Sequence, residues 1–92
     1  MNQRKPVDIP IDGTLDLHTF HPRDVKDLVV EYLDACRSRG IFQVRIIHGK
    51  GTGTLRRTVQ TILEKIPYVM SFRTADEEAG GWGATIVILK SN

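Results

Sequence analysis

The sequence predicts an α/β fold, a two-layer sandwich in which two helices pack on one face of a mixed four-stranded sheet. Two apolar stretches with helical spacing alternate with β-branched stretches, and glycines and prolines separate them. The 92 residues suffice for a single domain. A strand, helix, strand order makes a right-handed crossover with parallel strands. We therefore expect the order β-α-β-α-β-β, with the second face of the sheet open to solvent or a partner.

Proline and alternation define the start of the domain. Residues 1–12 are expected to form an extended arm, because their prolines disfavour a helix, and residues 13–92 the folded domain. The first strand is predicted over Gly13–His18, where buried leucines alternate with Asp16 and His18. Those two side chains lie about 6.6 to 6.8 Å apart along the strand, so both could reach one small ligand.

The later elements follow from periodicity and from residues that begin or end helices. Pro22 suits the first turn of a helix that Gly40 ends, and Pro67 ends the second helix. The predicted elements are the helix from Pro22 to Gly40, the strand Phe42–His48, the helix Thr54–Ile66, and the antiparallel strands Val69–Thr74 and Ala84–Lys90, which the loop Ala75–Gly83 joins.

Composition narrows the class of protein. The one cysteine, Cys36, excludes an internal disulfide and a cysteine-based zinc site, which suits a reducing cytoplasm. No apolar run is long enough to span a membrane, and residues 1–10 lack the apolar core of a signal peptide. We therefore expect a cytoplasmic protein without a membrane partner, and a monomer is compatible with the sequence.

Charge is segregated although the net charge is only +2. The window from Ala35 to Leu63 holds no acidic residue, whereas acidic residues gather on the first helix and in residues 76–78. Such a stretch is typical of a protein that binds a phosphate backbone, and the alternative is a solvated surface with acids nearby in space. The basic residues of the window are Arg37, Arg39, Arg45, Lys50, Arg56 and Arg57.

A glycine-rich turn between the second strand and the second helix is a candidate anion site. Gly49, Gly51 and Gly53 let the backbone approach a ligand, the following helix offers free N–H groups, and Lys50 adds charge. The turn fits neither the Walker A pattern nor the dinucleotide fingerprint, so no nucleotide cofactor is expected. The alternative is a tight loop with no ligand.

Asp16, His18, His21 and His48 form a second candidate set. An Asp-x-His-x-x-His pattern has donors for a transition metal, but its rings need not converge, and we predict no metal site. A histidine beside a carboxylate suits general acid or base catalysis. The alternative for Asp16 and His18 is a satisfied polar pair at a strand end.

Three motifs in order resemble the Smr (small MutS-related) domain. They are Leu15-Asp16-Leu17-His18, the stretch from Ile47 to Gly53 with Leu55-Arg56, and the stretch from Gly80 to Thr85. The resemblance covers about Gly13 to Lys90. It suggests a free-standing Smr protein without the mismatch-repair-type ATPase of some members. It implies a fold similar to the C-terminal domain of translation initiation factor 3.

The resemblance also implies an endonuclease that nicks DNA or cleaves RNA, the latter in ribosome quality control. It implies catalytic roles for Asp16, His18 and Arg56, whereas Thr19 stands where the family commonly has glycine. We expect the scissile phosphate on the Gly49–Gly53 turn, where Lys50 and Arg56 would neutralise its charge and His18, oriented by Asp16, would act as general base or acid. RNA cleavage would need no cofactor, and DNA cleavage would need a water activated by His18 or by Mg²⁺ or Mn²⁺ on Asp16. A binding module without catalysis and a protein-interaction adaptor are the alternatives. The expected phosphate or nucleic-acid contacts are His48, Gly49, Lys50, Gly51, Gly53, Arg57 and Trp82, the last by stacking on a base or else folded over the sheet edge.

Overall fold

The computed structural model describes residues 9–79 and 81–91. The sandwich predicted from the sequence is confirmed. Most of the predicted arm, residues 1–8, lies outside the described residues. Within the described ranges, no helix has the length and apolar character needed to cross a membrane. The elements are β1 (Thr14–Asp16), α1 (Val25–Ser38), β2 (Gln43–Ile47), α2 (Thr54–Glu64), β3 (Val69–Thr74) and β4 (Ala84–Leu89).

The sheet has the strand order β1-β2-β4-β3. β1 and β2 are parallel, as the crossover rule predicts, and β4 runs antiparallel to both β2 and β3. Asp16 pairs with Ile47, so β1 and β2 end at the same edge of the sheet. This edge carries both the Asp16 and His18 pair, at the end of β1, and the glycine turn, which follows β2.

Both helices cover the same face of the sheet. The main core contains Leu15, Val44 and Val87 from the sheet, packed with Leu33 of α1 and Val59 of α2, all fully buried. The strand residues between these core positions point to the other face, since successive side chains alternate. A smaller apolar cluster lies there, made of Ala75, Ala84 and Ile86 with Ile47 and Ile88 against them.

A buried tyrosine hydroxyl fixes the entry into β1. Tyr32 of α1 accepts a hydrogen bond from the Gly13 N–H at 3.1 Å and donates to the Thr14 carbonyl at 2.9 Å. The side chain is only 3% exposed. The contact ties the first helix to the first strand and thereby fixes where Asp16 emerges.

The structure refines several predicted boundaries. The first helix is preceded by a 3-10 turn, Pro22–Asp24, in which the His21 Nδ1 accepts from the Arg23 N–H at 3.1 Å. β3 has the predicted bounds, and β1, β2 and α2 are shorter than expected. The loop predicted over residues 75–83 contains two 3-10 turns, Glu77–Ala79 and Gly81–Gly83.

Candidate functional site

Asp16 and His18 form a pair at the end of β1. The Asp16 Oδ1 accepts from the His18 Nδ1–H at 2.8 Å and from the His18 backbone N–H at 3.0 Å. These bonds, the side-chain bond first, hold the pKa of Asp16 below its usual value, and Arg45 adds a smaller effect in the same direction. The side chains are 46% exposed for Asp16 and 72% for His18.

This geometry selects one tautomer of His18. A carboxylate can only accept, so Nδ1 carries the hydrogen, and Nε2 is the nitrogen that can take a proton. The lowered pKa keeps Asp16 ionised at neutral pH. The pair therefore presents an oriented base to solvent, which is what general base catalysis requires.

The glycine turn has the backbone that the sequence predicts. Gly49, Gly51 and Gly53 have φ values of 83°, 28° and 87°, a region that side-chain-bearing residues rarely adopt. Gly53 is the N-cap residue of α2 and supplies no side-chain cap, and the Thr52 hydroxyl accepts instead from the Thr54 N–H at 3.3 Å. The N–H groups of Leu55 and Arg56, next in the first turn, are the ones that suit a ligand. Lys50 and Arg57 are exposed beside this turn.

His48 supports the turn from inside. It is 6% exposed, and its Nδ1–H donates to the Gly49 carbonyl at 3.1 Å while the Thr85 hydroxyl donates to its Nε2 at 2.9 Å. Burial and the nearby Arg56 lower the pKa of His48, so the ring is neutral at neutral pH. Both ring nitrogens have protein partners, and this arrangement leaves neither for a phosphate.

Arg56 connects α2 to the loop before β4. Its Nη2 donates to the Thr74 hydroxyl at 3.3 Å, and its guanidinium lies 4.5 Å from the centre of the Trp82 ring. Within the described residues, its buried Nε has no hydrogen-bond partner. A buried donor without a partner is costly, and the Thr74 bond and the Trp82 stack hold the guanidinium in place against that cost.

Trp82 is 63% exposed. It lies over the Arg56 guanidinium, which is bonded to Thr74 of the edge strand β3. The neighbouring Gly83 carbonyl accepts from the backbone N–H groups of both His48 and Gly49 at 2.9 Å, and the Lys50 stem passes close to Gly83. The tryptophan is therefore fixed next to the glycine turn.

The two halves of the site meet at one edge but point to opposite faces of the sheet. Asp16 shares its face with Ile47, its register partner, because paired residues project to the same side. His48 is one residue further along and points to the helix-covered face, where Arg56 also lies. The expectation that His18 and Arg56 act on one scissile phosphate seated on the glycine turn is therefore revised. The turn with Lys50 lies at the edge between them.

The remaining candidate residues lie away from the edge where β1 and β2 end. His21 caps a 3-10 turn, and Arg37 binds the Lys90 carbonyl at 2.9 Å and stacks on Tyr68, which are structural contacts. In residues 9–79 and 81–91, no group of three or more histidine, cysteine or carboxylate side chains is arranged to hold a metal ion. Arg39 lies in a different groove, between α1 and residues 9–11.

Sequence reasoning assigned no contact at the site to three residues that shape it, although Arg45 belongs to the basic stretch and Thr85 to the third motif. Thr85 and Gln60 complete the support of His48, with the Gln60 amide 3.5 Å from the Thr85 hydroxyl, and no local pattern indicates these contacts. Arg45 shares the open face with Asp16, since it pairs with Thr14. Combining strand alternation with the parallel register would have found Arg45.

The Smr domain family model matches residues 15–90. The fold and the matched region together define the class: the chain belongs to the Smr domain family. It is 46% identical over 81 residues to the protein named endonuclease MutS2 of Halothermothrix orenii, a match that covers 88% of this chain and 10% of that protein. The chain thus spans about a tenth of that relative's length.

Solved structures agree with this assignment. The Smr domain of Thermus thermophilus MutS2 superposes with a TM-score of 0.80 at 33% identity, covering 86% of this chain and 99% of that one. YdaL, a stand-alone small MutS-related protein from Escherichia coli, superposes with a TM-score of 0.81 at 27% identity, covering 86% of this chain and 65% of that one.

Proposed function

We propose that this chain is a nucleic-acid-binding Smr domain that cleaves phosphodiester bonds of RNA or DNA, with His18 as the general base. The observation that carries the proposal is the 2.8 Å bond between the Asp16 carboxylate and the His18 Nδ1–H. This bond directs Nε2 outward, at an exposed strand end beside a cationic glycine turn. The endonuclease name of the MutS2 relatives adds support from the family.

On RNA, the substrate supplies its own nucleophile. His18 Nε2 takes the proton of a 2′-hydroxyl, the 2′ oxygen attacks the adjacent phosphorus, and the 5′ oxygen leaves and takes a proton from water. The product ends in a 2′,3′-cyclic phosphate. Asp16 stabilises the imidazolium that forms on His18, and a base placed in this way contributes typically about 10²- to 10⁴-fold to a rate.

On DNA the 2′-hydroxyl is absent, so a water must attack. His18 can deprotonate that water. Alternatively, a divalent ion such as Mg²⁺ or Mn²⁺ bound at the exposed Asp16 carboxylate would supply the activated water, and carboxylate oxygens are suitable ligands for either ion.

The glycine turn holds the backbone of the substrate. Backbone N–H groups at the start of α2 and the side chains of Lys50 and Arg57 suit phosphate oxygens. Because a nucleic acid offers a phosphate at every nucleotide, one strand can meet the turn and His18 at different phosphates. On this proposal the placement of the two halves on opposite faces is compatible with one substrate strand, in which His18 acts on one phosphodiester while the turn and Arg56 bind phosphates beyond it.

The proposed partners are DNA or RNA, the RNA including RNA associated with the ribosome, in the cytoplasm. Cys36 suits that compartment, since it is a free thiol, buried in the core, and burial raises its pKa.

Labelled single-stranded RNA, duplex DNA and supercoiled plasmid, each incubated with the protein with and without EDTA, test the proposal. The wild type should cleave at least one substrate, and His18→Ala should not. His21→Ala is the matched control, because it removes an exposed imidazole three residues away that caps a 3-10 turn. A cyclic phosphate end would identify RNA and its 2′-hydroxyl as nucleophile. Equal products from the wild type and His18→Ala would refute the assignment of the base.

A further inference from the structure

The stack of Trp82 on Arg56 is the largest exposed aromatic feature of the described chain. Trp82 is 63% exposed, although tryptophan residues are on average mostly buried. One face of the ring is covered by the Arg56 guanidinium, 4.5 Å from the ring centre. The exposed area of the ring remains for a ligand.

Arg56 is fixed where it supports the ring. Its Nη2 binds Thr74 of β3 and its Nε is buried, so the guanidinium cannot swing freely. The backbone on either side of Trp82 is tied as well, since the Gly83 carbonyl accepts two N–H groups of the glycine turn and the Gly81 N–H donates to the Asp76 carbonyl at 2.8 Å. The ring is therefore a preorganised flat surface, and binding to it loses little conformational entropy.

The surroundings of the ring indicate the kind of ligand. Lys50 and Arg57 are exposed cations beside the glycine turn, and the Lys50 stem runs next to Gly83. A flat apolar ring beside cations complements a nucleotide, whose base is flat and whose phosphate is anionic. Bases within a duplex are stacked on each other and their faces are covered, so an indole stacks on unpaired bases in preference to paired ones.

We infer that Trp82, backed by Arg56, is a stacking platform for one unpaired base and makes this domain select single-stranded nucleic acid over duplex. The inference rests on the proposed function and extends it to the class of substrate. Stacking on the base makes no contact with the sugar, so the platform accepts single-stranded RNA and single-stranded DNA alike. An unpaired strand end, a loop or a flap could each bind it.

The chain contains a single tryptophan, so its fluorescence reports on this platform directly. The experiment titrates the His18→Ala protein, which should not cleave, with a 12-mer of uridine, a 12-mer of thymidine and a 12-base-pair blunt DNA duplex at low salt. The two single strands should quench the fluorescence, and the duplex should not. Competition against a dye-labelled 12-mer gives affinities for variants that lack the tryptophan.

Trp82→Ala should weaken single-strand binding by roughly 5- to 150-fold, the range that one base–aromatic stack covers, and leave duplex binding unchanged. Trp82→Phe should retain most of the affinity, because it keeps a ring. Met70→Ala is the matched control, since Met70 is also an exposed apolar side chain, at 59%, on β3. It should change neither affinity.

Two outcomes separate the inference from the proposal beneath it. If single strands and duplex bind equally well and Trp82→Ala weakens neither, the platform is refuted while nucleic-acid binding stands. If the His18→Ala protein with Trp82 intact binds none of the three nucleic acids, both the platform and the proposed function fail.

Discussion

His48 should make the fold lose stability on mild acidification. The ring is 6% exposed and neutral, with both nitrogens bonded inside the protein, and burial together with Arg56 lowers its pKa below the ordinary value of 6.5. Below pH 6.5 the unfolded chain therefore binds a proton that the folded chain does not. The stabilisation that neutral His48 contributes is complete above pH 6.5 and is lost as the pH falls toward the pKa of His48 in the folded protein.

The magnitude follows from one proton. Between pH 7.5 and pH 5.5, the free energy of unfolding should fall by up to about 1.4 kcal/mol because of His48, the full value applying when the folded pKa lies well below 5.5. Urea unfolding followed by circular dichroism at the two pH values measures this change.

His48→Gln isolates the effect, since glutamine does not titrate and His18 and His21 remain. The variant should lose less stability than the wild type between the two pH values, although it is less stable at pH 7.5. Equal losses in both proteins would refute the buried, neutral histidine as the cause.

Three further changes test other parts of the account. Tyr32→Phe leaves the Gly13 N–H without its partner and should lower the free energy of unfolding in urea by about 1 to 3 kcal/mol. Tyr68→Phe, the control, loses only an exposed 3.5 Å hydrogen bond and should lower it by less. Equal losses would contradict the Tyr32 contact. Gly53→Ala should cost about 1 to 2 kcal/mol, because alanine is strained at a φ of 87°, and an unchanged melting temperature would argue against this turn geometry. Lys50→Ala should weaken nucleic-acid binding and lower its salt slope by about 1, while Lys26→Ala on α1 should leave both unchanged; identical slopes would remove Lys50 from the phosphate contacts.

The elements and their layers could be predicted from local patterns alone. The alternation around Leu15 predicts β1, and the crossover rule gives the parallel pairing with β2 that the structure has. The bounds of β3 were predicted because Pro67 and the polar loop from Ala75 enclose a short β-branched and aromatic stretch. The pattern of apolar residues predicts strands and helices because each of these elements depends on residues that are close together in the chain.

The faces of the site could also have been predicted, but only by combining two rules. Alternation makes Ile46 a core residue, so His48 must point to the helices, whereas Leu15 in the core sends Asp16 the other way. The expectation of a phosphate shared by His18 and Arg56 used only the fact that β1 and β2 end at one edge of the sheet. Parallel register relates Asp16 to Ile47, and the single residue between Ile47 and His48 reverses the face.

The contacts that hold the candidate site could not be predicted from the sequence. His48 meets Thr85 across 37 positions of the chain, and Arg56 meets Trp82 and Thr74 from a different element. Such contacts depend on how α2 lies on the sheet, which periodicity does not specify. Sequence patterns therefore identify the candidate residues, whereas the packing of α2 on the sheet places His48 beneath the glycine turn and Trp82 at the surface.

The most direct test of the account compares cleavage rate and affinity in one variant. On a substrate that the wild type cleaves, His18→Ala should lower the single-turnover rate by about 10²- to 10⁴-fold and leave the Kd within about twofold, because an oriented base acts on the reaction and not on binding. An unchanged rate, or a loss of rate that a proportional loss of affinity accounts for, would contradict His18 as the base.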